Sequence, residues 1–515
     1  MSTVHQPTCE VAIVGMGPTG VMLAHLLGAL GVDTVVVDRE PDLLNLPRAV
    51  HFDGEVMRIF QNAGLADALL PHVRASQGMQ YINAQGQLLL ERKPANAPGM
   101  HGWANNYLFH QPDVERILRQ GLTAHPSVQV RLQHEVNSVQ SDPAGVNILM
   151  TDLALDQAQR LKAQWVVGCD GARSKVREHM ATGFEDLGLH QAWLVIDVEL
   201  LQDLDLPVAT VQYCNPTRPI TYVNVTGQRR RWEVMVMPGD DLEHMTQPAQ
   251  IWPLLSPWIQ PHQARLVRTA IYTFHSLLTQ QWRQGRLLLA GDSAHQTPPF
   301  LGQGMCAGIR DAANLAWKLH RVCRGAPDAL LNTYASERIP HVSNFIATAV
   351  KLGNIIQSTD PVVAAQRDQQ FLAQGPQEIV NLSPPLGLGF HKGQVLSGQI
   401  MAQPTLSDGR LLDDALGQGF AVVSAYARDS LHVPAQTLHD LTALGTQWLH
   451  DPALQTWLQG LDAQWVLLRP DRYVFATAKT TDEMDHWDLS GALTHTHPQS
   501  PDTHTKPTTL QESTA

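Results

Sequence analysis

The chain is poor in cysteine, short of positive charge, and has no unbroken apolar run of membrane-spanning length. Its five cysteines (Cys9, Cys169, Cys214, Cys306 and Cys323) show neither a CxxC pair nor ligand-like spacing, which argues against a disulfide framework, a zinc site or an iron–sulfur cluster; no metal is expected. No cysteine lies beyond Cys323, so dithiol chemistry is excluded from the rest of the chain. The apolar stretch 11–32 is interrupted by Gly15, Gly17, Pro18, Gly20 and Gly28. It reads as a strand followed by a helix, not as an export signal or a membrane span, and a cytoplasmic compartment is expected. Lys and Arg number 36 against 48 Asp and Glu, a net charge of −12; this disfavours a nucleic-acid partner and otherwise aids solubility. No internal repeat is present. At 515 residues the chain exceeds what one core usually fills, so two or three domains are expected.

Three glycine- and aspartate-marked segments stand out against this background: VAIVGMGPTG (11–20), VVGCDGARSKVR (166–177) and RLLLAGDSAHQTPPFLGQGMCAGIRDAANLAWKL (286–319). In the first, a short apolar strand ends at Gly15 and a helix is predicted from Val21 to Leu30, the strand-to-helix context that a dinucleotide loop requires. Gly15 permits the tight turn, Gly17 lets a pyrophosphate approach the backbone, Gly20 permits close helix packing, and the helix N-terminus supplies unpaired N–H groups to an anion, with Pro18 a further cofactor-binding candidate in the same loop. The next strand, Thr34 to Val37, ends in Asp38, 18 residues beyond Gly20. An acid there accepts a ribose hydroxyl and disfavours a 2′-phosphate, so the site suits FAD or NAD.

The other two segments favour FAD. Each is a strand running into a carboxylate, Asp170 or Asp292, which can accept ribityl or ribose hydroxyls. In the third, the turn Pro298-Pro299 and the sequence Gly302-Gln303-Gly304 open a helix with Ile309, Ala312, Ala316 and Leu319 at helical spacing. A glycine-rich helix start can face an anionic ring. An NAD dehydrogenase needs neither.

With these motifs in this order, the chain resembles the class A flavoprotein aromatic hydroxylases, and within them the 3-(3-hydroxyphenyl)propionate hydroxylase branch. The likeness extends through LPRAVHFDGEVMRIFQNAGL (46–65), FHQPDVERIL (109–118), CNPTRPITYV (214–223), RRRWEVMVMPG (229–239), LLNTYASERIPH (330–341) and LLRPDRYVFATA (467–478). It implies an α/β fold with a discontinuous Rossmann-like FAD-binding domain from residues 1–71, 109–185 and 276–383. A β-rich substrate domain is inserted from 72–108 and 186–275. Beyond a Pro/Gly linker at 384–389, a thioredoxin-like α/β domain is expected over 390–490, and the Thr/Pro/Ser-rich segment 494–515 is expected to be a disordered tail.

The resemblance also implies chemistry. Reduced flavin activates dioxygen, NAD(P)H (NADH favoured) is the reductant, and a phenolic acid is hydroxylated ortho to its hydroxyl. A homodimer is compatible with the family likeness. Gly15, Gly17 and Gly20 would hold the pyrophosphate, Asp38 the adenosine ribose, Arg39 and Arg48 the pyrophosphate or ribityl region, and Gln111 the ribityl chain. Asp292 would bind ribityl or ribose hydroxyls, Pro299, Gly302, Gly304 and Met305 would lie along the flavin ring, and Asp170 would serve FAD and NAD(P)H. A phenol, with a pKa of about 10, needs a base or relay to ionise near neutrality. His51, Asp53 and Tyr222 are the candidates, with Asp53-Gly54 also readable as a simple helix start and His295 as structural. A propionate tail would want a cation such as Arg218 or the run Arg229-Arg230-Arg231, although that run reads better as a solvated hairpin tip. Pro298-Pro299 looks more like the hydroxybenzoate hydroxylases, which leaves another phenol open as substrate. A flavin oxidoreductase that does not hydroxylate also stays open, and the absence of WxWxIP argues against a halogenase.

Overall fold

The computed structural model describes residues 8–494, apart from 45, 95–96, 425 and 429–432. Of the segment 494–515, all but Thr494 lies outside the described residues.

The glycine-marked strands share one sheet. Leu287–Leu289, Gln157–Gly168, Thr8–Val14, Thr34–Val37 and Val128–Arg131 run parallel in that spatial order, and Gly145–Asp152 and His134–Asp142 extend the sheet as antiparallel strands. The central strands Leu287–Leu289, Thr8–Val14 and Thr34–Val37 and the end of Gln157–Gly168 are mostly apolar because both faces are covered there. Their shared direction brings Gly15, Asp38, Asp170 and Asp292 to one edge, the end at which α/β sheets bind ligands.

A second sheet of nine strands stands over that edge. It draws Met79–Asn83 and Leu88–Arg92 from one part of the chain, and Phe184–Leu200, Thr210–Cys214, Ile220–Asn224, Arg229–Met235 and Ala264–Thr279 from another, joined by the parallel pairing of Thr210–Cys214 with Met79–Asn83. Trp232, Val234, Tyr222 and Leu194 pack one of its faces against helix Pro248–Leu255. A three-stranded sheet of His51–Asp53, Asn106–Phe109 and Val73–Ala75 lies between the two large ones.

The last 100 described residues carry a four-stranded sheet in the order Gln447–His450, Ala421–Ser424, Trp465–Leu468, Val474–Ala478, the first pair parallel and the others antiparallel. Charge ties it to the rest. Glu337 on helix Asn332–Ile356 accepts from Asn314 and Lys318 of helix Gly304–Cys323, from the Phe390 amide at 2.6 Å, and from both terminal nitrogens of Arg469 at 2.9 Å. The Pro/Gly segment 384–389 is no free tether: the Gly387 amide donates to the Glu337 carbonyl, and a side chain at Gly389 would strike the Glu337 carboxylate. Arg58 makes a two-pronged pair with Asp413, 2.7 Å on each arm, buried on both sides. Among the described residues no helix is long and apolar enough to cross a membrane.

Removing one partner of a buried pair strands the other charge, so Asp413→Ala, which leaves Arg58 and Arg472 without their carboxylate, should cost about 3–5 kcal/mol. Denaturant unfolding measures it, and a loss below about 1 kcal/mol, the range of an exposed pair, would mean that this contact does not hold the C-terminal sheet in place.

Candidate functional site

The two large sheets enclose a cavity of about 350 Å³ that reaches from the first glycine loop to the polar face of the nine-stranded sheet. Gly15, at φ +102, turns the chain so closely past Cys169 that a side chain there would collide with its carbonyl. Nothing stands within 4 Å of where a Cβ on Gly17 would lie, and Gly17, Pro18 and Thr19 border the cavity. Gly20 packs back onto the Gly15 carbonyl, which leaves no room for a methyl group.

Helix Pro18–Ala29 begins without a side-chain cap, as does helix Gly304–Cys323. Both starts therefore present free N–H groups and positive dipole to the same cavity. Asp292 and Arg48 both border this cavity. Protein surrounds the Asp292 carboxyl closely enough that desolvation raises its pKa, while His295 and Arg48 pull the other way. Gln111 lines the wall and accepts from the Ala49 amide at 2.5 Å, so the backbone after Arg48 is pinned. Pro299, Gly302, Gly304 and Met305 complete that end. An elongated dianionic ligand with hydroxyls along its middle fits this donor set, and FAD is such a molecule. Bound there, it would take its phosphates at the first helix start, its ribityl hydroxyls at Asp292 and its ring beside Gly302 to Met305.

Three other expected cofactor residues stand elsewhere. Asp38 does not border the cavity; its carboxylate accepts the Met16 amide at 2.6 Å and the Glu40 amide at 2.9 Å, and so holds the glycine loop in shape from behind. Arg39 is exposed and pairs with its neighbour Glu40. Asp170 caps the short helix Lys175–His179 through the amides of Lys175 and Val176, rather than meeting Arg173 or Arg177.

His51 reaches the cavity from its short strand, beside the start of helix Gly304–Cys323. Its ring lies 2.7 Å from where a Gly302 side chain would begin, and Gly302 itself has φ +66, so glycine is required there twice over. Nε2 is 2.8 Å from Asn106 Oδ1 and Nδ1 is 3.3 Å from the Gly302 carbonyl. Both partners are acceptors and a neutral imidazole carries one N–H, so the ring donates to one of these oxygens and its other nitrogen, which keeps its lone pair, faces the second. Burial, reinforced by the Arg92 cation, pushes the His51 pKa below its ordinary value, which keeps the ring neutral and able to accept a proton.

Asp53 and Tyr222 are corrected by the geometry. Asp53 caps helix Gly54–Asn62 through the Val56 amide, and its other oxygen takes Arg310 at 2.6 Å and Gln303 at 2.9 Å. Burial alone would raise its pKa, but Arg310 holds it well below the usual carboxylate range, so it is a poor base. Tyr222 fails by strand alternation: Thr221 and Val223 face the cavity, and Tyr222 points to the opposite face against Trp232. His295 is structural, as read from the sequence: buried, it bonds Asp311 at 2.6 Å, and Asp311 also holds Arg338 and the Gly291 amide.

Other cavity residues escaped the sequence reading. Arg231 is not part of a solvated tip: it is buried, paired with Asp197 at 2.7 Å, and donates to the carbonyls of Pro47 and Arg48. Arg218 pairs with Asp240 outside the cavity. Glu233, whose pKa burial raises against the pull of Arg231, lines the cavity together with Gln212 and Arg92. The alternation in RRRWEVM, with Trp232 and Val234 on one face and Arg231 and Glu233 on the other, was the available signal. A polar strand face usually means solvent; here the first sheet covers it.

Comparison with known proteins agrees with this geometry. Residues 8–349 match the family model described as an FAD binding domain. The chain is 38% identical over 497 residues, 92% of its length and 93% of the relative's, to a "Probable NADH-specific resorcinol 4-hydroxylase" of Rhodococcus jostii (strain RHA1). It is 32% identical over 523 residues, 91% of its length and 92% of the relative's, to a "3-(3-hydroxy-phenyl)propionate/3-hydroxycinnamic acid hydroxylase" of Escherichia coli O81 (strain ED1a). In fold it is similar to the flavin-dependent monooxygenase PieE, solved with FAD and substrate, at TM-score 0.81, 18% identity, and coverage of 94% of this chain and 98% of that one.

Loss of one charged hydrogen-bond acceptor is expected to weaken flavin binding roughly 10- to 100-fold. Asp292→Ala should therefore purify folded but largely flavin-free. Wild-type FAD content in that variant would overturn the role given to Asp292.

Proposed function

The chain belongs to the class A flavoprotein hydroxylases, whose FAD binding domain its residues 8–349 match, and from that premise we propose that it hydroxylates a phenolic acid of the 3-(3-hydroxyphenyl)propionate type, ortho to its hydroxyl, with NADH and dioxygen. FAD is its cofactor. The observation that carries the reading is that one cavity gathers two uncapped helix starts, Asp292 and a histidine held neutral beside the second of those starts.

When bound, FAD supplies the activation of dioxygen. The protein's own residues do the rest. His51 keeps its N–H on the Asn106 oxygen and turns the other nitrogen from the more distant Gly302 carbonyl to accept the phenolic proton, which leaves the substrate ring richer in electrons and open to an electrophilic oxygen. Leu108, Phe274, Phe300, Leu301 and Met79 give the same cavity apolar walls that hold the aromatic ring and exclude water.

A second reading, a resorcinol-type phenol without a carboxylate, is favoured by the higher identity of the Rhodococcus relative and by Glu233, whose carboxyl group beside the substrate suits a hydroxyl better than an acid.

We further infer that the discontinuous segments 1–71, 109–185 and 276–383 form the flavin unit, that 72–108 and 186–275 form the substrate unit, and that 390–490 is a thioredoxin-like unit. In support of the last, the order and directions of its four strands are those of a thioredoxin-type sheet, with the third strand antiparallel to the rest. A cytoplasmic homodimer is the assembly proposed.

NADH oxidation by the FAD-loaded protein should accelerate strongly on adding 3-(3-hydroxyphenyl)propionate, with about one catechol formed per NADH under the stoichiometry of a monooxygenase. Acceleration by resorcinol alone would move the assignment to the second reading. For the base, His51→Ala should lower hydroxylation roughly 10²- to 10⁴-fold. Because the His51 pKa lies below its ordinary value, the wild-type rate should rise with pH through the acid range and then level off as the ring loses its proton. His51→Ala should lack that acid limb, and an unchanged profile removes His51 from the mechanism.

A further inference from the structure

Arg92 ends strand Leu88–Arg92 and is only 7% exposed, yet it borders the main cavity and also the smaller one beyond His51. Taking a guanidinium out of water is costly unless carboxylates or carbonyls surround it. Among the described residues Arg92 has no ion pair and no hydrogen-bond acceptor, and its Nε is enclosed without a partner. The groups whose charge it feels most are Tyr81 and Asp53. Tyr81 is an un-ionised phenol, kept so by burial. Asp53 already serves Arg310, Gln303 and the Val56 amide. Arg231, on the neighbouring wall, is by contrast matched by Asp197.

We infer that Arg92 is the counter-ion for an anionic oxygen of the aromatic substrate, so that the ligand completes an ion pair that the protein leaves open. The inference rests on the hydroxylase reading and names the recognition element of that site. Glu233, on another strand of the same sheet, also lines the cavity, and burial pushes it toward its neutral form, so it does not serve as a competing charge partner for Arg92. Two oxygens have the required chemistry: the carboxylate of a phenolic acid, and the phenolate formed when His51 takes the proton. Arg92 disfavours the charged form of His51, and by the same field it favours a phenolate nearby. A guanidinium stays charged even when desolvation lowers its pKa, so the counter-ion is present across the working pH range.

The test is equilibrium titration of the oxidised, FAD-loaded protein with 3-(3-hydroxyphenyl)propionate and with resorcinol, by calorimetry and by absorbance, in wild type, Arg92→Gln and Arg92→Lys. FAD content and near-UV circular dichroism report folding independently of turnover. Arg92→Gln should weaken binding of the acid at least ~30-fold, the scale of a buried charge left unpaired. Arg92→Lys should recover part of that loss, since it restores charge without the planar fork. If the carboxylate is the partner, resorcinol affinity at neutral pH is unchanged in Arg92→Gln. If the phenolate is the partner, ionisation of bound resorcinol, read by its absorbance, moves to higher pH. Equal affinity and equal ionisation in all three proteins overturns the inference. A wild-type protein that binds neither ligand overturns the proposed substrate class, and the counter-ion role falls with it.

Discussion

The site depends on how closely helix Pro18–Ala29 approaches the third glycine motif. A Cβ on Gly291 would lie 2.6 Å from the Thr19 hydroxyl, and one on Gly308 would collide with the same atom. Only glycine at both positions lets the start of the first helix, the end of strand Leu287–Leu289 and the start of helix Gly304–Cys323 meet at one point. That contact sets the distance between the two uncapped helix starts and therefore the length of ligand that bridges them. Asp311, 20 residues along from Gly291, bonds the Gly291 amide at 3.0 Å and is itself held by His295 and Arg338. The loop is thus fixed from its buried side, and Asp292, next in sequence, is left to face the ligand.

The same economy of roles recurs across the site. Asp38 and Asp170 accept backbone amides and stabilise turns, while Asp292 points into the cavity. Asp53 and Glu55 both bind Arg310, which locks helix Gly54–Asn62 against helix Gly304–Cys323 and so steadies the short strand that presents His51. The neutrality of His51 follows from its surroundings: Asp53 is the nearest carboxylate, but Arg310 has claimed it, and Arg92 supplies a positive field without a compensating anion.

Much of the fold was legible in the sequence where a physical constraint is local. The strand-to-helix turn at Gly15, the strand Thr34–Val37 and the helix after Gly304 follow from glycine placement and apolar periodicity. The residues around the cavity were legible only in part, because a side chain's direction depends on what covers the strand. Tyr222 and Thr221 are adjacent, and the reading of Tyr222 as a substrate contact failed on strand parity alone. Arg231 was read as solvated since three arginines follow a hairpin turn; its burial depends on Asp197, 34 residues away, and on the carbonyls of Pro47 and Arg48. Arg92 gave no signal at all, since LLLER looks like a strand running out into solvent.

These misreadings share a cause that bears on specificity. The nine-stranded sheet alternates apolar and polar residues as a one-sided sheet in water would, with Trp232 and Val234 inward and Thr221, Arg231 and Glu233 on the other face. The parallel sheet with its attached loops covers that other face, so residues with solvent-like chemistry end up lining a cavity. Charge there is screened less than on an open surface and is costly unless paired. Arg231 is balanced within the protein. Glu233 lies 3.7 Å from Arg231 and is pushed toward its neutral form by burial. Once these are matched, Arg92 is left near His51 with no ion pair among the described residues. An aromatic ligand that brings a negative oxygen to that end neutralises it, and one that brings only apolar edges does not. Discrimination between phenols in this cavity is therefore a matter of charge before it is one of shape.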